Sequence, residues 1–578
     1  MKRMLLLPLL FVATSFYNHL NAQITETATD AVKNMGVGWN LGNTLDASTP
    51  AGNSSQSSYW GAQGLESETY WGQPLATPEL FAMMKNAGYG AIRVPVTWYN
   101  HMDANGNVKA EWMKRVRTVV DYVLKAGLYC IINVHHDTGA DNDKHQSWLK
   151  ADLYSQNKDR YEHLWRQIAQ EFKDYDGHLL FESYNEMLDT KSSWCFASYN
   201  TPTRYDVTLA RNSYDGINGY AQSFVNVVRA TGGNNATRNL VVNTYAAANG
   251  SGTWNTHLQD PLKEMKLPED NEKGHLIFEI HTYPQIATKN AQGKVENRKM
   301  EDIRKEIDDN IAHLKNHLVA KGAPVIIGEW GTSNVDAGDG KTDYDVRPDH
   351  MKLFIEYFVK QTKAAGMAAF YWMGITDGFY RSMPAFSQPD LAECMIKAYH
   401  GSDFKGEYPT PQAASAISCF EGEKVLGWGN GITIAGALFK SIGASGQLEL
   451  TYKHTKNVDD IQFFYGDWST KPPFMADGKK YDGDFIPHSH YSSPLGSEHT
   501  TIFTFDDAVY EHLCKKGLII HGDGITIYKA QLTNPASAIA SPTVTPHADD
   551  ACYTLSGQRI ALPSHGIFIR GGKKVVVR

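Results

Sequence analysis

The 578-residue chain lacks several features that mark common classes of protein. No block of basic residues stands out and the formal net charge is −8, so neither a nucleic acid nor an anionic membrane surface is expected as the main partner. Beyond the N-terminus, no segment is apolar for long enough to span a membrane. The chain has no internal repeat. Its length exceeds that of one compact domain, so two or more domains are expected.

Cysteine is scarce: the six residues form neither a C-x-x-C pair nor a zinc-binding spacing. They are Cys130, Cys195, Cys394, Cys419, Cys514 and Cys552. We expect most of them to be buried as small hydrophobic residues, and their spacing does not reveal a disulfide pairing. Neither a metal nor another cofactor is expected.

The N-terminus has the parts of a secretory signal peptide. Lys2 and Arg3 precede an apolar stretch at residues 4–13, and small residues end near Ala22. This pattern predicts a signal peptide at residues 1–22, with an uncleaved anchor as the alternative. No cysteine lies near the cleavage site, so a lipid anchor is not expected there. We expect a secreted or cell-surface monomer with no integral membrane segment after cleavage.

Strand and helix signals alternate through the first two thirds of the chain. The predicted strands are residues 36–41, 91–95, 129–134, 179–183, 240–243, 276–280, 325–328 and 368–372. The helices between them have clear ends: one begins at Pro78 after a capping Thr77 and stops at Gly88. Eight such units predict an α/β fold, a (β/α)8 TIM barrel, at residues 23–405. The competing doubly wound sheet often has a glycine-rich phosphate loop after its first strand, and none is present here.

The pattern changes after the barrel. Residues 412–533 have short alternating apolar runs and many glycines, which predicts a small all-β sandwich. Residues 534–550, rich in Ala, Ser, Thr and Pro, are interpreted as a linker, and residues 551–578 as a C-terminal tail. The sandwich is either a carbohydrate-binding module or a spacer. The candidate sugar contacts in it are Tyr465, Trp468 and Tyr491.

Polar and aromatic residues recur where the predicted barrel strands end. They are Asn43, Arg93, His135, His136, Asn185, Glu186, His281, Tyr283, Glu329 and Trp372. The C-terminal ends of barrel strands meet at one face of the fold. Charged residues next to apolar runs cost free energy unless they are paired or used, so the set as a whole predicts a functional site.

Two of these residues, Glu186 and Glu329, would face each other across one cleft. A pair of carboxylates is the machinery of glycoside hydrolysis, and a retaining enzyme holds them about 5 Å apart. Arg93 can keep a nearby carboxylate ionised, and Tyr283 can donate a hydrogen bond to the nucleophile. Asn185 is suited to hold the sugar 2-hydroxyl. The sequence therefore favours a glycosidase site.

Aromatic residues make up 11% of the chain, which suits stacking on sugar rings. Trp372 offers a flat face for a pyranose, and residues 54–71 are a candidate for the cleft rim. Four further tryptophans are either sugar platforms or core residues: Trp98, Trp148, Trp194 and Trp330. Glu182 is interpreted as a carboxylate of the barrel interior, and His136 as a neighbour of the substrate.

The motifs GWNLGNTLDA, AIRVPVTW, IINVHHD, the Asn185–Glu186 pair, HTY, IIGEWG and FYW, in this order, closely resemble glycoside hydrolase family 5 of clan A. The resemblance covers about residues 30–400 and implies a retaining mechanism. It implies that Glu186 is the acid/base and Glu329 the nucleophile. Matching supporting positions are Arg93, His135, Asn185, His281, Tyr283 and Trp372. GWNLGNTLDA and ATGGNN are most similar to the endo-β-1,4-glucanase branch, which includes xyloglucanases and lichenases.

The tail, with YTLSGQRI, GIFI and GKKVVV, resembles the shortened C-terminal sorting signals of Bacteroidetes proteins secreted by the type IX route. The resemblance implies export beyond the outer membrane.

We therefore expect a secreted retaining endo-β-1,4-glucanase acting on cellulose-type, mixed-linkage or xyloglucan polysaccharide. The stretch WMGITDG departs from that branch after the eighth strand, which leaves the substrate open. The alternatives are a β-mannanase or xylanase on the same barrel, and a non-catalytic glycan-binding surface protein. A metal-dependent hydrolase is disfavoured because His135 and His136 are adjacent and follow the third strand.

Overall fold

A computed structural model describes residues 24–48, 64–139, 147–193, 205–252, 256–335, 341–410, 416–427, 430–443, 446–455, 459–481, 486–487 and 495–535, and four short strands within 552–577. The predicted signal peptide, most of the predicted linker, Trp194 and Tyr491 lie outside the described residues.

The first part of the chain is a closed barrel of eight parallel strands, as predicted. The strands are β1 Val37–Asn40, β2 Ala91–Val94, β3 Tyr129–Asn133, β4 Leu179–Glu182, β5 Leu240–Asn243, β6 Leu276–Thr282, β7 Val325–Trp330 and β8 Ala368–Tyr371. Each strand pairs with the next along the chain, and β8 pairs with β1 to close the barrel. A short hairpin, Ala287–Lys289 with Val295–Asn297, lies between β6 and β7.

Helices surround the barrel. They are α1 Ala28–Met35, α2 Pro78–Ala87, α3 Ala110–Lys125, α4 Tyr154–Glu171, α5 Val207–Ala230, α6 Asp260–Glu264, α7 Met300–His317, α8 Asp343–Val346, α9 Pro348–Ala364, α10 Phe379–Ser382 and α11 Pro389–His400. Helix α2 ends at Gly88, which adopts φ +114°. The prediction that Thr77 caps α2 is wrong, because its side chain makes no capping hydrogen bond; Pro78, whose fixed φ suits the first turn, begins the helix without one. None of the helices among the described residues combines the length and apolarity needed to cross a membrane.

Side chains inside the barrel form two layers with opposite character. The layer at the N-terminal ends of the strands is apolar and includes Ala91, Ile131, Leu180, Val241, Ile277, Ile326 and Phe370. Two residues further along the same strands stand Arg93, Asn133, Glu182, Asn243, Glu279, Gly328 and Trp372. Because strand side chains alternate between faces, both sets point into the barrel. The apolar layer supports a mainly polar one at the C-terminal face.

Strands β6 and β7 run further than the sequence predicted. Their ladder continues past an irregularity between Ile280 and His281 and pairs His281 with Glu329. These two residues therefore belong to strands rather than to loops. Backbone pairing fixes them side by side.

The described residues of the C-terminal part form two antiparallel sheets, as predicted for a sandwich, and two helices that the sequence analysis did not predict. Its elements are β9 Ala416–Val425, β10 Ile432–Ile434, α12 Gly436–Ile442, β11 Gln447–His454, β12 Asp459–Tyr465, β13 Phe474–Ala476, β14 Lys479–Tyr481, β15 Ile486–Pro487, β16 Glu498–Thr504, α13 Asp507–Lys516, β17 Leu518–Gly522 and β18 Ile525–Thr533. The sheet orders are β9-β18-β11-β16-β13-β14 and β10-β17-β12-β15. Phe463 of the smaller sheet packs against Phe474 and Phe503 of the larger one, so they share one core.

The tail contains four short strands, Cys552–Tyr553, Arg559–Ile560, Gly566–Arg570 and Lys573–Val577, which pair as an antiparallel sheet. Four of the cysteines form no disulfide: Cys130, Cys394, Cys419 and Cys514. Cys130 and Cys419 are buried, as expected for small hydrophobic residues.

Candidate active site

Arg93 lies at the centre of the polar layer and is fully buried. Its Nε and Nη2 donate to the two carboxylate oxygens of Glu182 at 2.6 and 2.7 Å. Its Nη1 donates to Glu329 at 2.9 Å and to Asn40 at 3.0 Å, and Nη2 also donates to Asn185 at 2.9 Å. The guanidinium thus fixes residues of β1, β4 and β7 with charge-assisted bonds.

Glu329 is held as a carboxylate. Tyr283 donates its hydroxyl to Glu329 Oε2 at 2.7 Å, while Arg93 donates to Oε1 at 2.9 Å. Burial alone would raise the pKa of Glu329, but the charges of His281 and Arg93 and the bond from Tyr283 hold it below its ordinary value. The carboxylate of Glu329 is therefore ionised at neutral pH.

His281 lies between three carboxylates. Its Nδ1 is 2.9 Å from Glu186 Oε1 and 3.5 Å from Glu329 Oε2, and its Nε2 is 3.4 Å from Glu279 Oε1. Burial would lower the pKa of His281, but the carboxylates, Glu329 first among them, raise it to about 10. The ring is therefore a cation at neutral pH, and both nitrogens are donors.

Glu186 faces Glu329 from the end of β4. A carboxylate oxygen of each residue and a ring nitrogen of His281 all lie within 4.8 Å of one another. The side chain of Glu186 is 28% exposed and that of Glu329 is 7% exposed. One carboxylate of the pair is therefore open to solvent, whereas the other is enclosed by its hydrogen-bond donors.

The same three residues, Glu186, His281 and Glu329, are spaced closely enough to surround a metal ion. A histidine binds a metal through a neutral ring, however, and the raised pKa of His281 keeps this ring protonated. The donor set fits a hydrogen-bonded carboxylate pair better than a metal centre. Asp46, His135 and His136 form a second close group.

The other predicted site residues lie on the opposite half of the cleft. The buried ring of His135 lies parallel to Trp372, with centroids 6.0 Å apart, and burial holds the pKa of His135 well below its ordinary value. His136 is half-buried beside Trp71, at a centroid distance of 5.2 Å. Asn43 adopts φ +58° and donates its N–H to the Asp46 carboxylate at 3.1 Å.

The structure adds residues that the sequence analysis missed. Glu279 is a buried carboxylate between Arg93 and His281, and burial followed by repulsion from Glu182 raises its pKa above the ordinary value. Asn133 donates to Glu182 at 2.9 Å and contacts His135 at 3.0 Å. A sequence signal for Glu279 was present in LIFEIHT, because period-two alternation places this residue on the same face as His281.

For several candidate sugar platforms, the structure favours the alternative of core packing. Trp98 and Trp330 have no exposed surface and pack in the core, where Trp330 lies against Phe354 and Phe358 of α9. Trp148 is covered by Arg160 and donates to Asp137. In the sandwich, Tyr465 is buried in the core, and the half-buried Trp468 packs on Phe464. The rim segment is described from residue 64 onward, and its last residue, Trp71, does lie at the cleft.

A cavity of about 670 Å³ opens beside Glu186, and neither Trp71 nor Trp372 is among its lining residues. Its wall includes Tyr283, the loop 246–249 and the face of α7 that carries Asp302 and Asn310. It contains Glu186 but not Glu329 among its lining residues. The cleft thus has an aromatic half beside β8 and a polar half beside β6.

A parallel eight-stranded barrel with two facing glutamates at its C-terminal face defines a glycoside hydrolase of the barrel class. The sequence profile of the cellulase family, glycosyl hydrolase family 5, matches residues 51–376. The chain belongs to this family.

Solved structures are similar over the barrel. A broad-specificity GH5-4 endoglucanase from an uncultured bacterium is 57% identical, with a TM-score of 0.61, over 66% of this chain and 98% of that one. PbGH5A, a family 5 enzyme from Prevotella bryantii B14, is 38% identical, with a TM-score of 0.53, over 65% and 99%. XEG5A, a xyloglucan-specific endo-β-1,4-glucanase from a metagenomic library, is 30% identical, with a TM-score of 0.51, over 64% and 98%.

Among curated relatives, Endoglucanase A from Clostridium longisporum is 31% identical over 395 residues, which are 66% of this chain and 67% of the relative. The match spans 64% of Endoglucanase B from Neocallimastix patriciarum and 37% of the cellulase/esterase CelE from Acetivibrio thermocellus.

Proposed function

We propose that this glycoside hydrolase is a secreted, retaining endo-β-1,4-glucanase that cleaves by double displacement. The observation that carries the proposal is the approach of the two glutamates, whose oxygens lie within 4.8 Å with His281 between them. Retaining glycosidases hold their carboxyl groups about 5 to 5.5 Å apart, whereas inverting enzymes need about 6.5 to 9.5 Å to admit a water. The close approach of the two side chains supports retention rather than inversion.

Glu329 is proposed as the nucleophile. Its two donors, Arg93 and Tyr283, keep it ionised and orient it toward the cleft. It attacks the anomeric carbon and forms a covalent glycosyl-enzyme while the glycosidic C–O bond breaks. Asn185, fixed by Arg93, lies beside it and is positioned for the sugar 2-hydroxyl.

Glu186 is proposed as the general acid and then the general base. Its partial exposure lets it exchange protons with solvent between the two steps, and His281 fixes one of its oxygens at 2.9 Å. It first protonates the leaving oxygen. It then takes a proton from the water that releases the sugar from Glu329.

The substrate is proposed to be a β-1,4-glucan of the cellulose, mixed-linkage or xyloglucan type. The support is the family together with the similar structures, which include broad-specificity and xyloglucan-specific endoglucanases. A cleft with an aromatic half and a polar half on either side of the glutamates suits a chain that passes through it, as endo cleavage requires. The signal-like N-terminus supports export, which polymer degradation needs.

A polysaccharide panel with product sizing tests the substrate. We expect reducing ends from carboxymethyl cellulose, mixed-linkage glucan and xyloglucan, with oligosaccharides of mixed length appearing early. Hydrolysis confined to mannan or xylan would replace the proposal by the rival enzyme activities. If no glycan yields reducing ends, the alternative of a non-catalytic glycan-binding protein is favoured.

Single substitutions test the roles of the glutamates. Glu329→Ala should lower kcat by about 10⁴-fold or more on every substrate, because no other group can take the place of the nucleophile. Glu186→Ala should lower kcat on glucan strongly but spare aryl glycosides with good leaving groups, which need no acid. The exposed Glu356→Ala serves as the control. Equal losses on both substrates in Glu186→Ala would contradict its role as the acid.

A further inference from the structure

The loop between β1 and α2 brings the barrel, the cleft and the sandwich together. Residues 64–77, called here the Trp71 loop, place Trp71 beside His136 at the aromatic half of the cleft. The indole is half-buried, so one part of it remains available to a ligand. Because no barrel strand carries Trp71, its position depends on what holds the loop.

Before Trp71, the loop is fixed by a buried ion pair with the sandwich. Glu66 is fully buried, and its Oε1 contacts the ammonium of Lys424 on β9, whose side chain is 8% exposed. The same carboxylate oxygen accepts the hydroxyl of Tyr70 at 3.3 Å and the N–H of Gly64 at 3.1 Å. One lysine of the sandwich thus neutralises the carboxylate around which the loop folds.

After Trp71, the loop lies directly against the sandwich. Gly72 adopts φ +84°, and a Cβ at this position would lie 3.2 Å from the Cβ of Ala437 on α12. The N–H of Leu75 donates to the carbonyl of Ser418 on β9 at 3.4 Å. Leu65 at the start of the loop packs against the cores of both domains. The sandwich therefore contacts the loop on both sides of Trp71.

The barrel holds the same loop at other points. Arg115 donates to Glu68 at 2.6 Å, and Ser67 is 3.2 Å from His101. The amide of Gln73 accepts the N–H of Gly378, in the loop after β8, at 2.9 Å. These contacts predict that loss of the sandwich anchor shifts the loop without unfolding it.

The proposed reaction shows which half of the substrate meets Trp71. Glu186, the proposed acid, lines the polar cavity beside β6, so the leaving group departs on that side. Trp372 and Trp71 do not line this cavity but lie beside His135 and His136, so we assign them to the glycone half of the cleft. A shift of Trp71 would therefore weaken binding of the glycone half of the chain.

The larger sheet of the sandwich has a polar outer face at its centre. Its central strand β11 alternates buried and outward residues, and the outward ones are polar: Gln447, Glu449, Thr451 and Lys453. The nearby ring of Tyr528 is covered by Lys453 at 5.5 Å. A flat polar sheet of this kind is a poor stacking platform. Its edge strand β9 contacts the Trp71 loop instead.

We propose that the sandwich is a structural part of the glycone half of the cleft, with Lys424 acting as a positioning residue that holds Trp71 through Glu66. This inference rests on the proposed glucanase function. It makes the sandwich a determinant of how tightly the barrel binds a long β-glucan chain.

The test compares Lys424→Met with wild type on mixed-linkage glucan, at a temperature where both are folded. We expect KM to rise about threefold or more while kcat stays within about twofold, because the glycone contact is made equally in the ground and transition states. Trp71→Ala should raise KM by at least as much. The double variant should show no further rise, because both changes remove the same contact.

Two further variants separate positioning from folding. Lys424→Arg keeps the charge and should recover most of the wild-type KM. Lys479→Met removes an exposed lysine from another strand of the sandwich and should change nothing. If Lys424→Met does not fold, Glu66→Gln replaces it as the decisive variant, since the amide keeps the shape and a neutral acceptor for Lys424. In that case we expect Glu66→Gln to raise KM about twofold or more.

The proposal is overturned if KM is unchanged in the decisive variant. It is also overturned if the KM effects of Lys424→Met and Trp71→Ala multiply, as the effects of independent contacts would. A wild-type protein that cleaves no β-glucan instead overturns the proposed function, whatever the variants do. The two failures are therefore distinguishable.

Discussion

Arg93 shows how a charge can be stable in the interior of a barrel. Its guanidinium meets the carboxylates of Glu182, Glu279 and Glu329, and those negative charges raise its pKa even though burial acts in the opposite direction. A buried ion that is fully paired avoids most of its desolvation penalty. The same arrangement keeps Glu329 anionic, so structural and chemical roles coincide in one residue.

Tyr283 offers a test of how the pKa of Glu329 is set. Tyr283→Phe removes the hydroxyl that donates to Glu329 at 2.7 Å, so the pKa of Glu329 should rise. The ionised form is then lost at a higher pH, and the acid limb of kcat/KM should move up by about one pH unit or more. We also expect kcat to fall by about tenfold or more at the optimum.

The matched control is Tyr175→Phe, which removes a tyrosine–carboxylate bond of the same length, to Asp121, far from the cleft. It should leave the pH profile of kcat/KM in place. An acid limb that does not move in Tyr283→Phe would show that Arg93 and His281 set the ionisation of Glu329 without the tyrosine.

The connections between elements depend on a second buried arginine. Arg238, just before β5, donates to the carbonyls of Phe172, Tyr175, Asp176 and Leu179, which run from the end of α4 to the first residue of β4. It also donates to Asn235 at 2.7 Å. A single side chain thus satisfies the backbone of the turn that leads into the strand before Glu186.

Arg238→Met should therefore destabilise the barrel, because it leaves several buried carbonyls without a donor. We expect the free energy of unfolding to fall by about 3 kcal/mol or more in urea denaturation. The control is Arg304→Met on the exposed face of α7, where the cation lies over Tyr357 and should contribute about 0.5 kcal/mol or less. Equal effects of the two substitutions would contradict the role assigned to Arg238.

Across the whole molecule, the barrel and the sandwich have separate apolar cores but share a closely packed boundary. Leu65 contacts both cores, and Glu66 of the barrel pairs with Lys424 of the sandwich below the surface. Removing one partner of a buried ion pair leaves an uncompensated charge. This boundary should therefore affect the stability of the full chain.

Lys424→Met should lower the melting temperature of the full-length protein, because breaking a buried ion pair costs about 3 to 5 kcal/mol. Differential scanning calorimetry measures the shift, and Lys479→Met provides the matched control on the exposed surface. A melting temperature equal to that of the control would mean that water reaches Glu66.

Much of the fold and of the site could be predicted because both depend on local patterns. Eight apolar runs separated by amphipathic helices specify a barrel, and the barrel brings the polar residues at its strand ends to one face. Glu186, Glu329, Arg93, His281 and Tyr283 were all found in this way. Alternation in LIFEIHT places Glu279 on the face of His281, but its contacts with Arg93 and Glu182 depend on distant strands and could not be predicted from this motif.

Sequence alone was enough for the barrel, the β-rich C-terminal part and the family, since short-range alternation and motif order express them directly. Tertiary structure was needed wherever the outcome depends on distant partners. The burial of Trp98 and Trp330, the protonation of His281 and the pairing of Glu66 with Lys424, 358 residues apart, are examples. Solvent exposure and electrostatic environment arise only when such segments pack, so no local pattern contains them.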